Sequence, residues 1–206
     1  GLASVLLSAC LGVSLGLLSG FVGGAVDSLV MRICDVMLSF PAILVALLIS
    51  GVGRALFPNA DDSLAFGVLI LSITLTGWVQ YARTVRGATL VERNKEYIEA
   101  ATSLALPTSR ILFNHLLPNV LPPLIVIATV QVAHAIALEA TLSFLGLGMP
   151  ITSPSLGLLI ANGFTHLMSG KYWISLYPGI ALLVTIVSIN LVGDQLRDVL
   201  NPRLQK

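Results

Sequence analysis

The chain has 206 residues, 56% of them hydrophobic and only 10% charged, with a mean hydropathy of +0.94 and a net charge of +1. Soluble domains carry about 25% charged residues, so a water-soluble fold is excluded and a single all-α, polytopic helical membrane domain over 1–206 is expected. Sparse aromatic residues and the lack of a basic stripe exclude nucleic acid as a partner, leaving membrane lipid as the chain's first neighbour.

Five stretches have the length and apolarity to cross about 30 Å of hydrocarbon, which takes roughly 20 helical residues. They are Leu2 to Val26, Val36 to Val52, Leu64 to Ala82, Val120 to Leu145 and Leu176 to Val192. The first carries Gly12, Gly16, Gly20 and Gly24 at strict four-residue spacing. That spacing makes one helix face on which another backbone can approach closely, either within the bundle or at a subunit interface. Asp27, Arg32 and Asp35 fall in the turn that follows, where they are expected to hold the turn and anchor it at the headgroups. Ser39-Phe40-Pro41 opens the second span, since proline early in a helix costs no hydrogen bond. Cys10 and Cys34 stand far apart in apolar surroundings and read as packing residues.

A polar island from Arg83 to Asn119 separates the third and fourth spans, and it holds eight of the chain's 21 Asp, Glu, Lys and Arg residues. Good helix formers run from Glu92 to Leu106, where Pro107 stops them. Tyr97, Ala101 and Leu104 (or Ala105) share one face of that helix at three- and four-residue spacing. Thr108 or Ser109 is placed to cap a second short helix from Arg110 to Leu117. Pro118, Pro122 and Pro123 mark the return of the chain into the membrane. A charged, helix-forming loop of this size between two spans reads as a docking surface for a soluble partner, against the plainer alternative of a solvated loop.

Glu139 is the one acid well inside an expected span, and an ionisable group in lipid is a functional candidate by default. It either faces a translocation path or pairs with a polar group on a neighbouring helix; His134 lies off its helical face. Gln131 and Asn190 are the other pathway candidates, with interhelical hydrogen bonding as the alternative. The segment 146–179, interrupted by Pro150, Pro154 and Pro178, carries an apolar run from Leu156 to Met168 that is too short to span and reads as a re-entrant or interfacial helix. Asp194, Arg197 and Asp198 close the last span.

Placing Gly1 outside collects nine Lys and Arg residues on the inner faces (Arg32, Arg83, Arg86, Arg93, Lys95, Arg110, Arg197, Arg203 and Lys206) against Arg54 and Lys171 outside. The positive-inside rule therefore sets the first residue outside and the last inside. A multispanning chain that starts outside is expected to have one more span upstream.

The sequence offers no site for bond-making chemistry. It lacks a Gly-x-x-x-x-Gly-Lys loop, a His-Glu-x-x-His pair and a Gly-x-Ser-x-Gly elbow, and Cys10, Cys34, His115, His134 and His166 have no metal-ligand spacing.

The run Glu99-Ala100-Ala101, three residues, Ala105, then Leu117-Pro118 resembles the EAA loop of ABC importer permeases. The family pattern usually has Gly at the place of Ala105 and Ile at that of His115, while Asn114-His115-Leu116-Leu117-Pro118-Asn119 is similar to the version found in its peptide-transporting branch. Asp27 to Asp35 with Ser39-Phe40-Pro41, Tyr81-Ala82-Arg83-Thr84-Val85-Arg86-Gly87, Glu139 to Gly148, and Asn190 to Asp198 through Pro202-Arg203 resemble the same branch, in its C-type subunit for dipeptides, oligopeptides and nickel. The resemblance implies the transmembrane domain of a type I ABC importer in the bacterial inner membrane, with six spans in the full protein. It implies that 87–119 forms a coupling helix seated in a cleft of an ATPase, through Tyr97, Glu99, Ala100, Ala101, Leu104, Ala105, Leu117 and Pro118. The implied partners are a second permease subunit, two cytoplasmic ABC ATPase subunits that carry ATP and Mg, and an extracytoplasmic substrate-binding protein; this chain itself is expected to be no enzyme and to hold no cofactor. A nickel chelate or glutathione is the alternative cargo. An ATP-independent secondary transporter is the rival class, and it would show inverted repeats or several buried charges.

Overall fold

The computed structural model describes residues 1–57 and 61–200, all helix, turn or irregular chain with no strand among them. Arg203, Lys206 and the Pro202-Arg203 end of the last motif lie outside the described residues. Among the described residues four helices are long and apolar enough to cross a membrane: α1 (Leu2–Val22), α4 (Asp62–Glu92), the continuous Thr108–Phe144 helix ending in α7 (Leu117–Phe144), and α9 (Trp173–Leu200). A fifth crossing is supplied only by a bent pair, α2 (Gly24–Leu38) and α3 (Ala42–Leu56), set at 89° to each other.

That pair corrects the second expected span, which was drawn straight through the bend from Val36 to Val52. Pro41 caps α3 at φ −56° rather than sitting inside it. A proline also disfavours helical geometry at the residue before it, here Phe40. The α2 helix therefore stops at Ser39, whose N–H and hydroxyl both bond back to the Asp35 carbonyl.

Lipid tails are as apolar as leucine, so close backbone approach and buried hydroxyls must hold such a bundle. The helices α1 and α4 run parallel and form its most intimate pair. A Cβ on Gly12 would lie 2.4 Å from the Trp78 carbonyl oxygen, one on Gly16 2.6 Å from that of Ala82, and one on Gly20 2.8 Å from the Thr89 Cβ. Gly24 does not belong to this groove. It has φ +55° with nothing within 4 Å, and together with Gly23 at φ +70° it makes the turn from α1 into α2. The four-glycine face expected from spacing is thus three glycines long, because the helix that would have carried the fourth has already ended. Ser8 Oγ donates to the Thr74 carbonyl at 3.1 Å, and the Ser50 and Ser72 hydroxyls meet at 2.9 Å between α3 and α4. Such bonds are worth about 0.6 kcal/mol each in a membrane interior.

Two ion pairs tie α2 to α4. Arg86 binds Asp27 side-on, with Nε–Oδ1 2.8 Å and Nη2–Oδ2 2.6 Å, and Arg83 binds Asp35. The acids expected merely to stabilise a turn are therefore paired across helices. α4 also runs on past the expected end at Ala82 to Glu92, since Gly87 stands in open space and no proline interrupts it.

Candidate functional site

At the end of the bundle where α1 and α4 reach Phe21 and Glu92, the chain turns into a short helix, α5 (Glu96–Ser103). Arg93, at the end of α4, donates to the carbonyl oxygens of Gly20 at 2.9 Å and Phe21 at 3.4 Å, so one guanidinium caps α1 and fixes the base of α5. Lys95 Nζ and the Tyr97 hydroxyl both bond the Glu92 carboxylate at 2.7 Å. Burial of the ring, with the Glu92 bond second, pushes the Tyr97 phenol up to about 12, so it stays a donor at neutral pH.

One face of α5 is anchored and the other is free. Ile98 and Ala101 are 3% and 4% exposed, packed with Leu17, Val85, Ile111, Leu112 and Leu116, and Leu117 leans on the same cluster. Tyr97, Glu99 and Ala100 are exposed, and Leu104 is 74% exposed. Spacing alone had grouped Ala101 with Tyr97 and Leu104; the structure turns Ala101 inward, so the free face is Tyr97-Ala100-Leu104, with Glu99 beside it over a shallow hollow against Arg93 and Thr102. Ala105 ends α5 at φ +51°, where the Leu106 N–H reaches the Ala101 carbonyl at 3.2 Å and the Ala105 N–H that of Thr102 at 2.9 Å. This is a Schellman turn, whose left-handed residue is normally glycine. The chain meets the turn's requirement with an alanine.

Beyond Pro107 the chain enters the long fourth helix directly. Thr108–Arg110 (α6) and a π-turn at Ile111–Leu116 lead into α7, and Pro118, Pro122 and Pro123 lie within that continuous helix rather than at a re-entry bend. Pro118 has no N–H for the Asn114 carbonyl, and the preceding turn is widened, with the Leu117 N–H reaching the Leu112 carbonyl. The widened turn points Ile111, Leu112 and Leu116 inward against α5 and leaves Phe113 62% exposed beside it. Of the 87–119 segment, residues 93–107 lie outside the two long helices.

The three pathway candidates are not brought together. Gln131 lines a central cavity with Gly77, whose carbonyl it bonds at 3.3 Å, and with Tyr81, Gln80 and His134. Glu139 lines a second cavity at the Gly1 end, with Ser4 and Met149. Its Oε1 accepts from Ser143 Oγ at 2.6 Å and from Ser155 Oγ at 2.8 Å. Ser155 in turn caps α8 (Leu156–Phe164) through the Gly157 N–H, and Ser143 holds the Met149 N–H. Glu139 therefore fastens the 145–155 loop to α7. Asn190 is half-buried on α9 and lines neither cavity. Sequence reasoning passed over Tyr81, which is fully buried with its hydroxyl unpartnered; such a group costs about 1–3 kcal/mol. Its position inside an aromatic-poor, otherwise apolar span was the available signal.

Among the described residues no group of three His, Cys, Asp or Glu is placed to hold a metal ion. The 146–179 segment contains the expected short helix as α8, packed on α7 and α9 so tightly that a Cβ on Gly157 would lie 2.1 Å from the Ala140 carbonyl oxygen.

Comparison with known proteins agrees with this architecture. The chain is 38% identical over its whole length to the oligopeptide transport system permease protein OppC of Bacillus subtilis, covering 64% of it. It is 35% identical, again over its whole length, to the dipeptide transport system permease protein DppC of Haemophilus influenzae, covering 66% of it. The chain thus spans slightly less than two thirds of the length of these curated relatives. Its fold matches that of a chain from inward-facing crystals of the MetNI methionine ABC transporter with a TM-score of 0.72 over 96% of this chain and 89% of the other, at 20% identity. Residues 12–206 match the family described as binding-protein-dependent transport system inner membrane component, and the chain belongs to that family.

Proposed function

We propose that this chain is part of the permease subunit of an ATP-driven importer of peptides, supplying half of a transmembrane pathway and the surface through which an ATPase moves it. The observation that carries the reading is the construction of α5. Its inner face is locked by Ile98 and Ala101 to both long helices that flank it, while Tyr97, Glu99, Ala100 and Leu104 are exposed. A force applied to the free face is transmitted to α4 and α7 without an intervening flexible joint. The names of the relatives, which are oligopeptide and dipeptide permeases, support a peptide cargo.

In this reading two ATPase subunits bind and hydrolyse ATP with Mg, a second permease completes the pathway, and a binding protein delivers peptide at the Gly1 end near α8. The family description supports an inner-membrane location, and the Lys and Arg distribution supports an α5 end that faces the cytoplasm. The test is peptide uptake by cells carrying Glu99→Lys or a deletion of 96–106 in the full-length protein. Uptake is expected to fall at least tenfold while the amount of protein in the membrane is unchanged. Uptake that survives the deletion sinks the coupling role.

A further inference from the structure

The central cavity lies where α1, α4 and α7 meet the break between α2 and α3, with Leu38 and Ala42 on either side of that break in its wall. Among the described residues no Asp, Glu, Lys or Arg lines it; its polar groups are amides, hydroxyls and an imidazole, including Gln80, Tyr81, Gln131 and His134. Tyr81 is fully buried with an unpartnered hydroxyl, whereas Gln80 and His134 are exposed on helices long and apolar enough to span. Polar side chains facing hydrocarbon are costly. Non-helical backbone such as 39–41 persists at membrane depth only beside protein or a water-filled space. This face of the bundle is therefore turned towards water, cargo or a partner subunit rather than lipid.

We propose that the cavity is a transit subsite for the amide backbone of the cargo, resting on the reading that the cargo is a peptide. The Tyr81 hydroxyl donates to a cargo carbonyl, and the side-chain carbonyls of Gln80 and Gln131 accept from cargo N–H groups. Every peptide bond offers one donor and one acceptor, so these groups engage any sequence, and the lack of fixed charge prevents selection by side-chain charge. Apolar walls at Leu38 and Ala42 leave the hold weak, as passage requires.

The test uses the complete transporter in proteoliposomes with its binding protein saturating. Uptake of a tripeptide is compared with uptake of its depsipeptide analogue, in which one internal amide is replaced by an ester that lacks the N–H and has a weaker carbonyl acceptor. Any preference of the binding protein is common to all permease variants and cancels. Tyr81→Phe removes a single oxygen, and Gln80→Leu alters an exposed residue, so both keep the fold. In Gln80→Leu the amide-to-ester uptake ratio is expected to drop about fivefold from the wild-type value, the worth of one net hydrogen bond to an N–H that the ester lacks; in Tyr81→Phe, whose lost hydroxyl meets a carbonyl that the ester keeps as a weaker acceptor, it drops by a smaller factor. An unchanged ratio in both variants overturns the subsite. A wild-type complex that hydrolyses ATP but imports no peptide overturns the peptide reading, and this inference with it.

Discussion

Ala105 is a left-handed alanine at φ +51° in a turn that glycine would occupy without strain. A non-glycine residue there costs roughly 1–2 kcal/mol, partly offset by the extra freedom that glycine gains in the unfolded chain. Ala105→Gly is therefore expected to stabilise the protein by about 0.5–1 kcal/mol, read as a raised melting temperature in detergent; an unchanged or lower one contradicts the turn geometry. The glycines of α1 and the turn after it separate two causes in the same way. Gly16→Ala forces a Cβ to 2.6 Å from a backbone oxygen, which neither rigid helix can relieve, and is expected to cost more than about 2 kcal/mol. Gly24→Ala meets open space and suffers only from its φ of +55°, a cost of about 1 kcal/mol. Equal losses at the two positions would contradict the division between groove and turn.

At the scale of elements, what the sequence disclosed followed the strength of each local signal. α5 was legible because helix formers and polar residues run up to Pro107, although the helix stops earlier, at the Ala105 turn. Its inward face was not, because Ala101 fits either of two overlapping stripes, with Tyr97 and Leu104 or with Ile98. The break at Ser39-Phe40-Pro41 read as a helix start, which it is for α3; that α2 is also helical before it was hidden by Asp27, Arg32 and Asp35, charges that look like a loop in a membrane chain. Partners explain the two acids, since Arg86 and Arg83 lie on α4 at the matching heights. The Asp27–Arg86 pair, with side chains 18% and 32% exposed, has two parallel charged hydrogen bonds and is worth about 1–2 kcal/mol. Arg86→Asp and Asp27→Arg are each expected to lower folded yield in the membrane, and the double reversal to restore most of it. A double variant no better than either single one would show that the two residues act independently.

For the whole molecule, sidedness decides whether α5 can meet a nucleotide-driven partner at all. Charge bears on it: of the Lys and Arg residues in the described chain, Arg32, Arg83, Arg86, Arg93, Lys95, Arg110 and Arg197 follow the α5 end, and Arg54 and Lys171 the other. Arg54 is committed there, its guanidinium donating to the Gly148 carbonyl at 2.6 Å and tying α3 to the loop that Glu139 fastens. The two ends of the bundle also differ in what they expose. One presents Leu104 and Phe113 beside α5, and the other presents Ile151 and Met168, 94% and 98% exposed, around α8. With Cys10 and Cys34 first replaced by serine or alanine, single cysteines at 104 and 151 report the two ends. A membrane-impermeant maleimide is expected to label position 151 in spheroplasts and position 104 only after the membrane is opened. The reverse pattern would put α5 outside, where no ATPase can reach it, and would defeat the coupling role however well the helix is built for it.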